Sequence, residues 1–292
     1  MATFVKMKNI NIFIDPYAAL APKRYGLKPS KLEFEMLNFY LEKIYELAEI
    51  TDYVIITHYH YDHHPRPYDN KFFESFKRAK FFIKNFEKEH FSARKRGSIF
   101  KKLLEKNEIE YEFVDGEEIK IGKTKLIFSE PVWHGEVNSK VGRVIMCLIK
   151  RGKKKLFFGS DAQMLIDENA LNFVLDYKPN FLIIDGFPTI LIGKEVKQES
   201  FEIGIKNLKR IIEEISFETL ILDHHILRDK DFKNKIPFYG ENVITAAEYY
   251  NLENLQLEAY RKEIYEGKFF DIEKYKNFMN NLVAKIKDVR NI

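Results

Sequence analysis

Cysteine is almost missing from this sequence. Cys147 stands alone among 292 residues, which excludes an internal disulfide and any cysteine-based zinc finger. No apolar run approaches the roughly 18–20 residues of a membrane span. Met1 to Ile14 lacks the apolar stretch and small-residue cleavage site of a secretory signal. A soluble, cytoplasmic protein with no membrane partner is expected. Neither the P-loop nor the Gly-rich dinucleotide fingerprint occurs, nor a Ser-His-Asp nucleophile motif, nor a helix-borne His-Glu-x-x-His. Glutamine is found only at 163, 198 and 256, while Lys and Glu abound; this bias fits a thermophile or an AT-rich coding sequence. An excess of one charge is lacking too: 48 basic against 44 acidic residues leave +4, which neither requires nor forbids nucleic acid.

What is present is enough apolar material for a sizeable core, 45% hydrophobic against 32% charged residues, so a disordered chain is excluded. The length fits one large α/β domain, 1–292, with insertions. The distribution of histidine is the most informative feature. Seven of the eight fall in 58–64, at 134 and at 224–225, and only His90 stands apart.

The first strand is expected at Ile10–Ile14, closing on Asp15-Pro16. Ser30 and Glu33 have capping-box spacing ahead of a helical pattern to about residue 50. Strand 53–57 follows, then a helix over 70–78 and a strand over 80–84. The segment 84–106 carries eight Lys/Arg and three Glu and reads as a basic helical insertion. Strands are expected near 110–114, 117–121 and 124–129, the last two turning at Gly122, and a second pair, 144–150 and 154–159, turns at Gly152. A mostly helical stretch covers 161–175, a strand 181–184, an amphipathic helix 200–215 with Ser200 as its cap, and a strand 219–222. The C-terminal part, 242–292, is expected to be helical.

The chemistry concentrates at strand ends. In Thr57-His58-Tyr59-His60-Tyr61-Asp62-His63-His64, residues two apart in extended chain point the same way, so His58 and His60 can grip one metal ion. Asp62 and His63 follow where the chain turns and can face a second ion. Imidazole and carboxylate suit zinc and similar divalent cations. Pro131-Val132-Trp133-His134 and Phe157-Phe158-Gly159-Ser160-Asp161 each place one more ligand type after a strand, and His224-His225 closes strand 219–222. Singly each of these reads as an ordinary turn; beside the first cluster they form a set. His64 and His90 are expected to stay off the metal.

The ordered run His58, His60, Asp62, His63, His134, Asp161 and a terminal histidine, with an early strand closing on Asp15, resembles the metallo-β-lactamase-fold hydrolases over roughly residues 10–226. The loop Ala21-Pro22-Lys23-Arg24-Tyr25-Gly26, the pair Asp185-Gly186 and the stretch Leu222 to Asp229 resemble, more narrowly, an archaeal branch of that superfamily for which no substrate is settled. The resemblance implies an α/β fold of the αββα four-layer sandwich type with a dinuclear metal site at one edge of two sheets. His58, His60 and His134 would hold one ion; Asp62, His63 and His224 or His225 the other; Asp161 would bridge. Asp15 would order the histidine loop without binding metal. The branch opens with one more strand than is read here, and Tyr17 stands where Gly is expected after Asp-Pro.

Two divalent ions, zinc first with manganese or iron as alternatives, would activate water for hydrolysis, with Asp62 as the catalytic carboxylate that orients the water or accepts its proton. Arg94, Lys95 and Arg96 with Lys23, Arg24 and Arg228 lean the substrate towards a phosphodiester or nucleic acid, against a bland reading of 84–106 as a solvated helix face. Small-molecule esters, lactones and thioesters are the alternative substrates. A non-hydrolytic metal-binding or diiron redox protein is the competing class, although no flavin domain accompanies the metal motifs and no ligand is lost from the set.

Overall fold

A computed structural model describes residues 1–240 and 242–288. The chain divides into two compact units, one formed by Met1–Phe113 with the residues from Tyr260 on, the other by Val114–Ala259. Each is a sheet with helices, so the class is mixed α/β as expected. The last four positions of the C-terminal part expected over 242–292 lie outside the described residues.

In the first unit five strands run in the order β1 (Thr3–Met7), β2 (Ile10–Ile14), β3 (Tyr53–Ile56), β4 (Lys80–Ile83), β5 (Tyr111–Phe113). Only β1 is antiparallel to its neighbour; the others are parallel. Parallel strands covered on both faces carry apolar runs, as β3 does at 54–56 and β4 at 81–83. β1 is the opening strand that the sequence reading did not assign. It is a half-buried edge strand throughout, and its Lys6 interrupts the apolar signal of an interior strand. Helix α1 (Lys31–Ala48) starts on the predicted capping box: Glu33 N–H donates to Ser30 Oγ at 3.3 Å and Ser30 N–H to Glu33 Oε2 at 2.8 Å. Helices α2 (Asn70–Phe76) and α3 (Phe91–Lys106) follow β3 and β4. The core holds Phe13, Val54, Ile56, Phe72, Phe76, Phe81, Phe100 and Leu104.

α3 carries the basic run, but 84–106 is not one solvated face. Lys84 is buried and donates from Nζ to Glu89 Oε1 at 2.7 Å. Gly97 marks the close approach of α3 to the loop before it, since a Cβ there would lie 2.5 Å from the Phe86 ring. The C-terminal helix Glu273–Asp288 packs beside α1. A short helix at Arg261–Tyr265 brings in Arg261, fully buried, whose Nη2 donates to Glu33 Oε1 at 2.7 Å and whose Nη1 donates to the carbonyls of Ala21 and Leu27.

The second unit begins with β6 (Glu118–Ile121), β7 (Thr124–Phe128), β8 (Val132–Trp133) and β9 (Arg143–Val144). β10 (Cys147–Arg151), β11 (Lys154–Phe158), α4 (Glu168–Tyr177) and β12 (Phe181–Asp185) come next, then α5 (Gln198–Glu214), β13 (Thr219–Asp223) and β14 (Val243–Ile244). Seven of these strands form one sheet in the order β14-β13-β12-β11-β10-β7-β6, and β8 pairs with β9 apart from it. The hairpins turn at Gly122 and Gly152, whose positive φ of 57° and 60° suits tight hairpin turns. α5 starts two residues before the predicted cap. Lys197 caps it, and Ser200, one turn inside, donates from Oγ to Glu136 Oε1 at 2.7 Å. The helix expected over 161–175 starts only at Glu168, because 161–167 is a tight strand-end turn with positive φ at Gln163, Met164 and Leu165. β14 is an edge strand within the expected helical part; two residues are too short for a periodic signal. Among the described residues no helix is long and apolar enough to cross a membrane.

Candidate metal centre

The histidine loop leaves the end of β3. His63 and His64 both turn back to donate their N–H groups to His60 O, at 3.0 and 3.3 Å. This tight turn stacks the ligand types: the His58 ring lies 4.7 Å from His60 and 4.1 Å from His63 between centroids. Asp62 Oδ2 is 3.8 Å from His63 Nε2, with the Asp62 side chain 26% exposed.

Asp15, at the end of β2, holds the loop from below. Its Oδ1 accepts Thr57 N–H at 2.8 Å, and its Oδ2 accepts Thr57 Oγ at 2.6 Å and faces His63 Nδ1 at 2.9 Å. The carboxylate is fully buried with a positive φ of 46°. Strained backbone of this kind persists where the surroundings over-determine it, and here the three contacts do so. Both of its oxygens are committed, the geometry of an orienting group. With Nδ1 facing Asp15, Nε2 is the ring atom of His63 left to face a cation. One atom each of Asp15, His58 and His63 lie within 4.8 Å of one another.

His64 and His90 lie elsewhere. His64 is buried among Tyr59, Tyr61 and Phe100, with centroids at 5.5, 5.2 and 5.4 Å, and burial lowers its pKa to about 3. It is an aromatic core residue that stays neutral. His90 is the exposed cap of α3 and makes no side-chain cap bond.

In the second unit the ligand types converge from three strand ends. His134 follows β8, Asp161 follows β11, and His224 and His225 follow β13. His134 Nε2 lies 3.2 Å from Asp161 Oδ2, and His224 Nε2 3.6 Å from the same oxygen. Asp161, His224 and His225 each place one ligand atom within 4.8 Å of the others'. Ser160 and His224 have positive φ, 49° and 61°, so this unit too turns sharply at the strand ends that present the candidate ligands. Burial holds the His225 pKa well below its ordinary value, with the Arg228 charge adding to it.

Asp185 was noted in the sequence only as part of a motif, without a role. It ends β12, and its Oδ1 accepts His225 N–H at 3.0 Å while its Oδ2 faces His225 Nδ1 at 2.7 Å. Gly186 permits this approach, because a Cβ there would sit 2.3 Å from Ile226 Cβ. Gln163 Nε2 stands 3.4 Å from His134 Nδ1. Asp167 caps α4 and also accepts Trp133 N–H at 2.9 Å, fixing the strand before His134. The sequence signal for Asp185 was a carboxylate closing a buried parallel strand; for Gln163 and Asp167 there was none. Each unit thus gathers imidazoles with carboxylates, and one imidazole in each has a carboxylate at Nδ1. That donor set suits a divalent cation.

No protein-family model matches the sequence. The chain is 40% identical over 276 residues to a UPF0282 protein of Methanocaldococcus jannaschii, covering 92% of both chains. It is 40% identical over 276 residues to a UPF0282 protein of Thermococcus onnurineus, covering 91% of this chain and 90% of the other. It is 36% identical over 273 residues to one of Metallosphaera sedula, at 90% and 87%. Likeness to solved structures is more distant. A possible metal-dependent hydrolase from Veillonella parvula aligns with a TM-score of 0.49 at 17% identity, covering 75% of this chain and 80% of that one. The metallo-β-lactamase fold protein YhfI of Bacillus subtilis aligns at 0.49 and 13%, covering 83% and 86%.

Proposed function

The chain belongs to the UPF0282 family, and on that premise we propose that it is a metal-dependent hydrolase acting on a phosphodiester or nucleic-acid substrate. Two divalent ions, zinc first, are the cofactors this reading requires. The observation that carries the reading is the gathering of imidazole and carboxylate atoms within 4.8 Å in each unit, presented at strand ends, with Asp15 as the orienting carboxylate of the first unit's group and Asp185 behind His225 in the second. In the first unit His58, His60, Asp62 and His63 would supply ligands, and in the second His134, Asp161 and His224 or His225.

Such a pair of ions lowers the pKa of water and stabilises developing negative charge. The protein's own part is position. Asp15 and Asp185 keep His63 and His225 in one tautomer and one orientation. Asp62 is half-buried and stays ionised beside cations, because opposite charge favours the charged form; it orients the attacking water or takes its proton.

The test is metal analysis of the purified full chain together with a hydrolysis screen. Bis-p-nitrophenyl phosphate, short RNA, lactones and thioesters would each be offered with zinc, manganese or iron. Stoichiometric divalent metal and chelator-sensitive turnover of the phosphodiesters support the reading. Turnover of lactones or thioesters alone would move the substrate class, and a chain that retains no divalent metal would end the proposal.

A further inference from the structure

Tyr61 stands between two candidate ligands, His60 and Asp62, and carries two guanidinium groups. Arg66 Cζ lies 4.8 Å from the centroid of its ring and Arg96 Cζ 4.7 Å from it. Both arginines are half-buried. Arg96 also donates from Nη1 to Tyr59 O at 3.3 Å. Among the described residues no carboxylate pairs with either guanidinium.

The arrangement is built on both sides. Arg66 lies between Pro65 and Pro67, whose own φ angles are fixed and which restrict the backbone between them, and its carbonyl accepts Asp69 N–H at 3.0 Å. Asp69 is in turn held by the hydroxyls of Tyr17 and Tyr45, each at 2.7 Å. Tyr17, the departure from the expected Gly, thereby helps to pin this loop. Arg96 is fixed through α3, which Phe100 and Leu104 anchor in the core and Gly97 allows to lie against Phe86. Two like charges brought to one ring repel each other, and stacking on tyrosine recovers only part of that cost. An anion between them reverses the sign. The planar fork of arginine matches phosphoryl oxygens in pairs of bonds.

We propose that Arg66 and Arg96, held against Tyr61, form a clamp for a phosphoryl group of the substrate at the histidine loop. The proposal rests on the hydrolase reading and narrows it to phosphate esters. The clamp is carried by α3 and the loop after His64, and the exposed Arg94 and Lys95 are not part of it.

The experiment is calorimetric binding of inorganic phosphate and of a short oligothymidylate to the full chain, with metal content measured in parallel. R66Q, R96Q, R66K and R96K would be compared with wild type, and R94Q would serve as the control of equal charge. Each Gln variant should weaken phosphate binding roughly tenfold or more at unchanged metal content, each Lys variant should lose part of that, and R94Q should change it less than about twofold. The Lys variants keep the charge and the packing, so they decide the matter if a Gln variant fails to fold. Tighter binding of the oligonucleotide than of phosphate would assign the phosphoryl group to nucleic acid, and equal or weaker binding to a small ester. Phosphate affinity that is absent in wild type, unchanged in the arginine variants, or equally lowered by R94Q overturns the clamp. Arginine-dependent phosphate binding by a chain that retains no metal would leave the clamp standing and end the hydrolase reading instead.

Discussion

Asp185 holds His225 twice, through the backbone N–H at 3.0 Å and the ring Nδ1 at 2.7 Å. A histidine held in this way presents Nε2 in one tautomer and one direction, which is what a cation requires of it. Asp185→Asn keeps the shape of the side chain but removes the charge that polarises the ring. Metal affinity, read by competition against a chelator, is expected to fall about 10- to 100-fold while the fold is retained. Unchanged affinity would mean that Asp185 serves only to close the turn at Ile226.

Asp15 plays the corresponding part at the histidine loop, where Thr57 N–H, Thr57 Oγ and His63 Nδ1 all meet its carboxylate. Asp15→Ala leaves the buried Thr57 N–H and the buried His63 ring without their acceptor. The expected loss is about 3 kcal/mol of stability, because unmade buried bonds carry their full desolvation cost. Denaturant unfolding of the metal-free chain measures it apart from any effect of the ion. A loss below about 0.5 kcal/mol would show the loop to be held by its own turn.

How far the candidate site was legible in the sequence follows from what each residue does. His58, His60, Asp62 and His63 stand within six positions, and a cluster of ligand types after a buried strand leaves little else to read. His134, Asp161 and His224 were legible only as strand-end residues beside that cluster. Asp185 was visible in the chain but had no visible task, since its partner lies 40 positions away and the pairing depends on the parallel register of β12 and β13. The elements followed the same rule. The capping box of Ser30 and Glu33 is local and was read correctly, whereas β1, β14 and the true start of α5 depend on edge pairing and on the Glu136 contact to Ser200.

His64 and His90 supply the contrast to the candidate ligands. His64→Phe fits the aromatic surroundings of Tyr59, Tyr61 and Phe100, and His90→Ala removes an exposed side chain. Both variants are expected to keep the wild-type metal content by elemental analysis. The loss of one metal equivalent from either would reassign the set.

The buried pair Arg261–Glu33 closes the first unit from opposite ends of the chain, and the same glutamate caps α1. Removing one partner strands a buried charge, so Arg261→Met is expected to cost about 3–5 kcal/mol. Replacing both, Arg261→Met with Glu33→Gln, removes the charge and keeps a capping side chain. The double variant should therefore be more stable than the single one by denaturant unfolding. If the double variant is the less stable, the contacts of Arg261 to the carbonyls of Ala21 and Leu27 carry the effect instead of the charge pair.

Asp62 is the residue whose role separates chemistry from architecture. It lies on the turn between His60 and His63 and, unlike the buried Asp15 and Asp161, retains some exposure to water. A partly exposed carboxylate beside candidate ligands can reach a water and take its proton. Asp62→Asn keeps the size and a ligand oxygen but cannot accept that proton at neutral pH. If the variant still holds two ions, turnover of whichever substrate the screen identifies should fall roughly 100-fold or more, the scale of a positioned acid–base group. The loss should appear in kcat, because a proton acceptor acts in the transition state and not in binding. A fully metallated Asp62→Asn chain with wild-type kcat would remove Asp62 from the reaction, and a variant that loses one ion would make it a ligand first.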